Sequence, residues 1–380
     1  MDFMALELSE IREEINKIDE QLLELFLKRM ECSGQVADYK VEHNMPVFNA
    51  AREQEILDRI ASKSGEYGDS TRLLYSTIMN ISRALQYPAV TKSSPFRQVI
   101  DNALSAEFSP KKVGYQGSEG SYSQTVAAKM FGGANMQKYA HFRDVFEAVA
   151  SGEIDCGIVP IENSYAGSVS ENYDHLLNYD LKINAVFDLP VNHCLLVKPG
   201  TDLSKIRTVY SHPQALAQCS VYLNEHGYES AAMDNTAFAA EFVAKSADGT
   251  VAAIASEQAA EKNGLEIAAR GIQTSGKHNF TRFIAISREM ATPADAELVS
   301  IAFSIPHEPG SLYKTLSMLA ANGLNMTRIE SRPDRESPFR YIFYIDFIGN
   351  IADERTTALL CGLDNELPLL KLLGNCRIYK

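Results

Sequence analysis

An uninterrupted apolar seam near the N-terminus restricts most strongly how this chain can fold. Apolar residues recur there at alternating spacings of three and four, the pattern of a helix with one apolar stripe, at Leu8, Ile11, Ile15, Ile18, Leu22 and Leu25. No proline interrupts the pattern from Leu6 to Glu42, which predicts one helix about 55 Å long. Two shorter helices are predicted at residues 50–62 and 71–86. Because three helices cannot cover so long a seam, we expect a second copy of the chain to cover it, in a homodimer or a higher homo-oligomer.

The periodicity changes twice after these helices, which predicts a multidomain chain. Residues 1–90 are predicted to form an all-α domain, and residues 91–110, rich in proline and serine, a linker with one short helix. Residues 111–292 alternate between strand and helix patterns, which predicts an α/β domain with a mainly parallel sheet and two lobes. Residues 297–380 follow the order βαββαβ of a ferredoxin-like α+β module.

The composition argues against several classes of function. The formal net charge of −13 offers no large basic field to nucleic acid or to an anionic membrane surface. The six cysteines are scattered without a C-x-x-C pair, which indicates a reduced, cytoplasmic protein without a metal site. No apolar run approaches the ~18 residues of a membrane span, and the acidic start is not that of a signal peptide. We expect no nucleic-acid or membrane partner and no metal or organic cofactor.

Cationic residues lie on or beside the apolar faces of the helical domain. Arg29 takes the next position of the seam after Leu25, and Lys40 lies one turn past Val36. Salt bridges in a helical dimer would explain each such residue alone. Several cations converging on apolar faces favour a multiply charged anion instead, because arginine forks bind carboxylates in a fixed orientation. The polar residues on these faces are Arg12, Arg29, Lys40, Arg52, Glu53, Ser82 and Gln86.

These residues and the segment "PVFNAAREQEIL" resemble the all-helical chorismate mutase family. The resemblance implies that Arg12, Arg29 and Arg52 clamp the two carboxylates of chorismate. It also implies a dimer that supplies one arginine from the opposite subunit, which we expect to be Arg12. The reaction is a pericyclic rearrangement that needs no nucleophile, so catalysis must come from holding the reactive conformer and stabilising its charge.

The same resemblance implies roles for the remaining polar groups of the helical domain. Lys40 and Gln86 would reach the ether oxygen of the breaking bond, and Glu53 would contact the ring hydroxyl with Ser82 assisting. The family usually has aspartate where this chain has Asn49. We expect Asn49 to cap the second helix and to accept a hydrogen bond next to the substrate.

Polar side chains also cluster where predicted strands of the middle domain end. The turn "GYQGSEGSYS" matches a dinucleotide fingerprint only weakly; it would bind a carboxylate, or Ser121 would simply cap a tight turn. "VPIENSYAG" and "YSHPQALAQC" end strands, where open sheets bind ligands. The strand "NFTRFIAIS" is apolar on both faces yet begins with Thr281 and Arg282, and a buried guanidinium requires an anionic partner. The further polar residues of these segments are Glu162, Asn163, Ser164, Ser211, His212 and Gln214.

These four segments resemble the prephenate dehydratases over essentially all of residues 111–290. The resemblance implies a two-lobed fold like that of periplasmic binding proteins, with Thr281 as the catalytic residue and Arg282 beside it. Prephenate loses carbon dioxide and its ring hydroxyl, and Thr281 would donate a hydrogen bond to the departing oxygen. His212 and Glu162 are equally suited to supply the proton. The implied substrate-binding residues are Ser121, Glu162, Asn163, Ser164, Ser211, Gln214 and Arg282.

The C-terminal module shows no paired acid and base and no nucleophile, so a structural or oligomerising domain is one interpretation. Its segments "PGSLYKTL" and "ESRP" resemble the phenylalanine-binding motifs of ACT regulatory domains. The resemblance implies feedback inhibition by L-phenylalanine, bound by Gly310, Leu312, Asn325, Glu330, Ser331 and Arg332.

The three resemblances follow the order of the bifunctional chorismate mutase–prephenate dehydratase family of phenylalanine biosynthesis. We therefore expect chorismate and prephenate as substrates. An alternative is an amino-acid sensor whose helical arm only dimerises it, but such a sensor needs neither Thr281 nor Arg29. A mutase fused to a prephenate dehydrogenase would need a clean dinucleotide fingerprint, which the sequence lacks.

Overall fold

The computed structural model describes residues 7–92, 94–274, 279–334 and 337–380. These residues form two compact units. The first contains the chain up to Asp101 together with Phe303–Met326 and Ile351–Leu370, and the second contains Asn102–Ala302, Thr327–Asn350 and Lys371–Lys380. Because the C-terminal module contributes segments to both units, the domain bounds drawn from the sequence stay a prediction.

The secondary structure of the described residues follows the expected order of helices and strands. The helices are α1 (Leu8–Glu42), α2 (Ala50–Lys63), α3 (Gly68–Val90), α4 (Pro95–Ser105), α5 (Tyr122–Phe131), α6 (Phe142–Ser151), α7 (Ser170–Asn178), α8 (Pro213–Gln218), α9 (Ser220–Glu225), α10 (Thr236–Lys245), α11 (Glu257–Asn263), α12 (Ser311–Ala321) and α13 (Glu354–Glu366). The strands are β1 (Lys112–Gln116), β2 (Asn135–Tyr139), β3 (Cys156–Asn163), β4 (Gly167–Ser168), β5 (Lys182–Pro190), β6 (Cys194–Val197), β7 (Thr208–Ser211), β8 (Glu229–Ala232), β9 (Val251–Ala255), β10 (Glu266–Arg270), β11 (Phe280–Ser287), β12 (Leu298–Ser304), β13 (Asn325–Pro333), β14 (Tyr341–Ile348), β15 (Leu369–Cys376) and β16 (Ile378–Tyr379).

The helices predicted for the N-terminal part are confirmed. α1 ends at Glu42 as expected, while the predicted start at Leu6 lies outside the described residues. α4 is the short helix expected in the linker. The six seam residues from Leu8 to Leu25 are 41% to 64% exposed, so the apolar stripe faces solvent in a single copy of the chain. The homo-oligomer that would cover it stays a prediction.

Helix α3 is the centre of the first unit. α1 and α2 pack against it, and so do α12 and α13, the two helices of the C-terminal module. α13 approaches so closely that a Cβ added at Gly362 would lie 2.6 Å from the Tyr87 ring. Since both groups are buried, a larger residue at this position would require α13 or Tyr87 to move.

Two mixed sheets form most of the second unit, which corrects the expectation of a mainly parallel sheet. The first is ordered β16-β5-β11-β3-β1-β2, with β4 beside β3. β1 runs parallel to β2 and β3, whereas β11 runs antiparallel to its neighbours β3 and β5. The second is ordered β10-β6-β9-β7-β8, and β6 is antiparallel to β9 and β10. In the same sheet β7 is parallel to β8 and β9. The first sheet is mixed because the chain leaves it after β5, forms the second sheet, and returns as β11 in the opposite direction to β5.

The C-terminal strands form a third sheet, ordered β13-β14-β12-β15. With α12 between β12 and β13, and α13 between β14 and β15, the chain follows the βαββαβ order expected from the sequence. Strand β15 begins at Leu369, earlier than the predicted segment "GNCRIYK". The chain then continues as β16, which pairs with β5 in the first sheet.

Candidate functional sites

Helices α1 and α3 bring together four predicted polar residues of the first unit, Arg29, Lys40, Ser82 and Gln86, which we call the helical cluster. Arg29 Nη1 donates a hydrogen bond to Ser82 Oγ. Lys40 Nζ donates to Gln86 Oε1 at 3.1 Å and also to the Val47 carbonyl. Ser82 and Gln86 are one turn apart on the buried face of α3, so both cations reach the same face of that helix.

The electrostatics of the helical cluster suit an anionic ligand. Burial lowers the pKa of both Arg29 and Lys40, and the nearby charge of Glu53 partly opposes each shift. The hydrogen-bond partners of both cations are neutral oxygens. A partly buried cation with such partners is stabilised further when a carboxylate approaches it.

Glu53 faces an arginine that the sequence analysis did not single out. Arg83 Nη1 donates to both carboxylate oxygens of Glu53, and Arg83 Nε donates to Glu366 Oε1 at 2.8 Å. Arg83 is only 4% exposed. Arg83 directly follows Ser82 in an apolar stretch, so the sequence could have identified it as a buried charge. Its partner could not be identified in this way, because Glu366 lies 283 residues further along the chain.

Three other predicted residues of the helical part lie outside the helical cluster. Arg12 is exposed on α1, about 25 Å along the helix from Arg29, so the two cannot meet within one chain. Arg52 is exposed and pairs with Glu55, with 2.8 Å between Nη1 and Oε2. Asn49 Oδ1 accepts the backbone N–H of Arg52 at 3.0 Å, which confirms the expected cap of α2.

In the second unit, Asn163 at the end of β3 orients Thr281 at the start of β11. Asn163 Oδ1 accepts the backbone N–H groups of Tyr165 at 3.1 Å and Ala166 at 3.0 Å, which fixes the orientation of the amide. Asn163 Nδ2 therefore faces Thr281 Oγ1, 2.9 Å away, and donates to it. Because Oγ1 accepts this bond, the hydroxyl hydrogen of Thr281 remains available to a ligand.

A chain of side chains continues from Asn163 to a histidine that the sequence analysis missed. Asn163 Nδ2 lies 2.9 Å from Asn279 Oδ1, and Asn279 Nδ2 donates to Gln218 Oε1 at 3.1 Å. The same oxygen lies 2.9 Å from His193 Nε2, which therefore carries the hydrogen. Burial lowers the pKa of His193 and favours its neutral form. Nothing in the spacing of "HCLLVK" distinguishes this histidine from a core residue.

The other predicted polar residues of this unit have the following partners. Ser164 Oγ accepts the first backbone N–H of β11 at 3.0 Å. Ser121 caps α5, and Ser211, fully buried, donates to a carbonyl of β9 at 2.6 Å. Gln214 Nε2 lies 3.5 Å from the amide oxygen of Asn163, so it is brought to the same place.

The two proton sources left open from the sequence have different surroundings. His212 Nδ1 accepts the backbone N–H of Gln214 at 3.3 Å, and burial lowers its pKa. Glu162 lies opposite Arg282 in the pairing of β3 and β11. Neither position decides between them.

Arg282 obtains its anionic partner from the protein. Its Nε and Nη2 donate to the two oxygens of Asp188 on β5, at 2.7 Å and 2.8 Å. This hydrogen bonding is the largest cause of a raised pKa for Arg282, which burial opposes. The charge of Arg282 is therefore balanced without a substrate carboxylate, and its role in binding substrate stays a prediction.

The predicted effector residues fall in both units. In the first, Gly310 has a φ of 82° and forms the N-terminal cap of α12 just before Leu312, and Asn325 is exposed. In the second, Glu330 Oε2 accepts a hydrogen bond from Ser168 Oγ at 2.8 Å, and Ser331 is exposed. Arg332 lies within 3.3 Å of Asp174 on α7.

Within the described parts of the chain, no helix is long and apolar enough to cross a membrane. Over the same residues, no three His, Cys, Asp or Glu side chains are grouped so that they could hold a metal ion. All six cysteines are free thiols, and only Cys32 is exposed.

Two family models match the chain, one for each cluster. The chorismate mutase type II model matches residues 11–87, which include the helical cluster. The prephenate dehydratase model matches residues 113–291, which include Asn163 and Thr281. The chain therefore contains a helical mutase followed by an α/β dehydratase.

A bifunctional chorismate mutase/prephenate dehydratase from Aquifex aeolicus (strain VF5) is 33% identical over 372 residues, covering 97% of each chain. This chain belongs to the bifunctional chorismate mutase/prephenate dehydratase family and is an enzyme with both activities, in phenylalanine biosynthesis. This assignment replaces both alternatives considered from the sequence, the amino-acid sensor and the dehydrogenase fusion.

Two solved structures resemble much of the chain. A prephenate dehydratase in complex with L-Phe from Arthrobacter aurescens has a TM-score of 0.65 and 30% identity, covering 70% of this chain and 89% of that one. A quorum-quenching acylase has a TM-score of 0.64 and 32% identity, covering 70% of this chain and 98% of the other.

Proposed function

We propose that the helical cluster is the chorismate mutase site. The observation that carries this proposal is the pairing of Arg29 with Ser82 and of Lys40 with Gln86 across α1 and α3. Arg29 binds a carboxylate of chorismate, while Lys40 and Gln86 stabilise negative charge on the ether oxygen as its bond to carbon breaks. The rearrangement moves electrons only within the substrate, so the rate comes from holding its chair-like conformer.

We infer that a second copy of the chain completes this site. The exposed seam supports a dimer in which the two α1 helices pack together. Arg12, too far from Arg29 within one chain, then contributes to the cluster of the other copy. Arg52 leaves its exposed ion pair with Glu55, which contributes little free energy in water, and binds the second substrate carboxylate instead. Glu53 accepts a hydrogen bond from the ring hydroxyl.

For the dehydratase, we propose that Thr281 donates a hydrogen bond to the departing hydroxyl oxygen. The hydrogen bond from Asn163 Nδ2 supports this role, since it leaves the Thr281 hydrogen free. As carbon dioxide leaves, the electron pair of the broken C–C bond moves into the ring and expels the hydroxyl. The ring becomes aromatic in this step, so a neutral hydrogen-bond donor is sufficient help for the leaving group. The departing oxygen takes up a proton and leaves as water. His212 and Glu162 are candidates for the source of this proton. His193 is a third candidate, because a series of hydrogen-bonded side chains connects it to Asn163 beside Thr281.

We propose that L-phenylalanine inhibits the dehydratase through an ACT domain formed by the C-terminal module. Glu330 contacts Ser168, and Ser168 pairs with Glu162 on the strand that also carries Asn163. An effector ammonium bound to Glu330 competes with Ser168, so the effect can reach Asn163 through neighbouring residues. The L-Phe complex of the Arthrobacter dehydratase supports the choice of effector. We also propose that the enzyme acts in the cytoplasm.

The test of the whole function is to give the purified full-length protein chorismate alone. We expect prephenate to form and then phenylpyruvate, without an added metal or organic cofactor. A parallel reaction supplied with prephenate isolates the second step. Chorismate left unchanged would contradict the mutase assignment, and prephenate that accumulates without phenylpyruvate would contradict the dehydratase assignment.

A further inference from the structure

A buried ion network in the first unit connects α2, α3 and α13. Arg83 is at its centre: Nη1 donates to Glu53, Nη2 to Asn80 Oδ1, and Nε to Glu366. The ring of Phe48 lies 5.1 Å from the guanidinium carbon. All three nitrogens of the guanidinium are thus engaged, and a planar group held in this way has one orientation.

Glu366 is the second fixed member of this network. Its Oε1 accepts hydrogen bonds from Arg83 Nε and from the Tyr87 hydroxyl, and its side chain is 11% exposed. Burial acts most strongly on Arg83 and opposes its charge, but Glu366 and Glu53 outweigh burial, and the pKa of Arg83 is raised. Two carboxylates therefore share one arginine, and each contributes to holding it.

Glu53 needs such a restraint because it lies close to the cations that bind substrate. Its charge acts on the pKa of both Arg29 and Lys40. A glutamate side chain that was free to rotate would pair with one of them and neutralise a positive charge that the substrate requires. The bond to Arg83 holds the Glu53 carboxylate away from that pairing.

Resting on the proposed role of Glu53 in the mutase, we propose that Arg83 is a positioning residue that holds Glu53 for the ring hydroxyl of chorismate. Glu366, from the C-terminal module, holds Arg83 in turn. The mutase then depends on a residue of α13, a helix that belongs to a different part of the sequence.

The first test is Glu366→Gln in the full-length enzyme. We expect kcat for chorismate to fall about tenfold, with a smaller change in KM, because Glu53 is less well oriented. Turnover of added prephenate should not change, which also shows that the variant is folded. Glu354→Gln is the matched control, since Glu354 also lies on α13 and pairs with Arg97 at 3.0 Å and 2.9 Å, but is half exposed. An equal mutase loss in Glu354→Gln would overturn the proposal.

A double-mutant cycle tests whether the effect passes through Glu53. In a Glu53→Gln enzyme, adding Glu366→Gln should cause no further loss, whereas multiplied losses would overturn the proposal. Arg83→Lys keeps the charge but lacks the planar fork whose three nitrogens reach Glu53, Asn80 and Glu366, so it should resemble Glu366→Gln; full activity would contradict the positioning role. If Glu53→Gln alone has no effect, the proposed role of Glu53 fails as well. If Glu53→Gln impairs the mutase and Glu366→Gln does not, only the positioning proposal fails.

Discussion

At the scale of single residues, two arginines differ in how the protein balances their charge. Arg282 has a bidentate carboxylate partner in Asp188, whereas Arg29 donates to the neutral hydroxyl of Ser82. An arginine that is partly removed from water without an acidic partner has more to gain from an anionic ligand. This difference supports Arg29 as a substrate-binding residue more strongly than Arg282.

The two activities should be separable by single substitutions. Arg29→Ala removes the proposed contact with a substrate carboxylate, and we expect the mutase rate to fall by about 10²-fold or more while turnover of added prephenate is retained. Thr281→Ala should do the reverse, because it removes the hydrogen bond that we propose to the departing oxygen. Both rates are measured on the same preparations, and loss of both activities in a folded variant would show that the sites are not separate.

The mutase should lose activity at alkaline pH because of Lys40. Burial lowers the pKa of Lys40 below its usual 10.5, and in the role proposed for Lys40 only the charged form stabilises the ether oxygen. As the pH rises through this lowered pKa, kcat/KM for chorismate should fall, since kcat/KM reports the free enzyme. Lys40→Arg, which stays charged, should move the decline to higher pH. An unchanged alkaline limb in Lys40→Arg would contradict the assignment.

The sequence was sufficient to predict which residues carry charge on apolar faces, but not their partners. Arg29 and Lys40 follow the helical repeat on α1, and Ser82 and Gln86 follow it on α3, so the period predicts that each pair shares one face of its own helix. The carboxylate beside Arg282 comes from another strand, and nothing in local spacing identifies such a contact. Asn279, Gln218 and His193 were missed for the same reason.

At the scale of secondary structure, the close approach of α13 to α3 makes Gly362 sensitive to substitution. Gly362→Ala places a Cβ against the Tyr87 ring, and we expect it to lower the free energy of unfolding of the first unit by about 1–3 kcal/mol. Gly34→Ala is the control, because no atom lies within 4 Å of its added Cβ. Alanine is more favourable than glycine inside a helix by roughly 1 kcal/mol, so this variant should raise the free energy of unfolding. Urea unfolding should therefore give opposite signs for the two variants, and equal signs would contradict the packing argument.

The exposed seam of α1 leads to a prediction about subunits. If Arg12 serves the cluster of the other copy, chains with Arg12→Ala and chains with Arg29→Ala should each be nearly inactive as mutases. Co-expression of the two should restore activity, because a mixed dimer contains one site with both arginines intact. Mixed samples that remain as inactive as the separate variants would contradict the shared site.

The helix bounds could be predicted closely, because the repeat of apolar residues depends only on the segment that forms the helix. α1, for example, ends at Glu42 as expected. Strand direction could not, because whether β11 runs parallel or antiparallel to β3 depends on the path of the chain through the second sheet. A mainly parallel sheet was expected because strands and helices alternate along the chain. The parallel direction holds between β1 and β3, but β11 is antiparallel to β5, and β6 is antiparallel to β9.

At the scale of the whole molecule, phenylalanine should inhibit the dehydratase. A coupling of about 1–3 kcal/mol would raise the prephenate concentration required by roughly 5- to 150-fold. Glu330→Gln should weaken the response because it removes the charge that we propose binds the effector ammonium. Ser168→Ala should retain or tighten effector binding, because Glu330 loses a competing partner, and should reduce the effect of the effector on turnover. The control ligand is 3-phenylpropionate, which lacks the ammonium and should not inhibit; wild-type enzyme indifferent to phenylalanine would contradict the feedback.

The sequence indicated three consecutive domains, and the structure groups the chain differently. α12 and α13 pack in the first unit, next to α3, so a chain truncated after residue 296 would lack two of its helices. The point variants Glu330→Gln and Ser168→Ala are therefore cleaner tests of regulation than removal of the C-terminal module. Packing between segments so far apart in sequence has no local signature.

The packing of α13 against α3 also has a consequence for how the chain is made. Tyr87 precedes Glu366 by 279 residues, and a ribosome adding about 5–20 residues per second needs roughly 15 to 55 s to span them. Until then, Arg83 and the Tyr87 ring have no C-terminal helix to bury them. While these 279 residues are made, the nascent helical domain therefore presents an apolar surface on which Arg83 has only one of its two carboxylate partners, Glu53, and this is the kind of surface that chaperones bind.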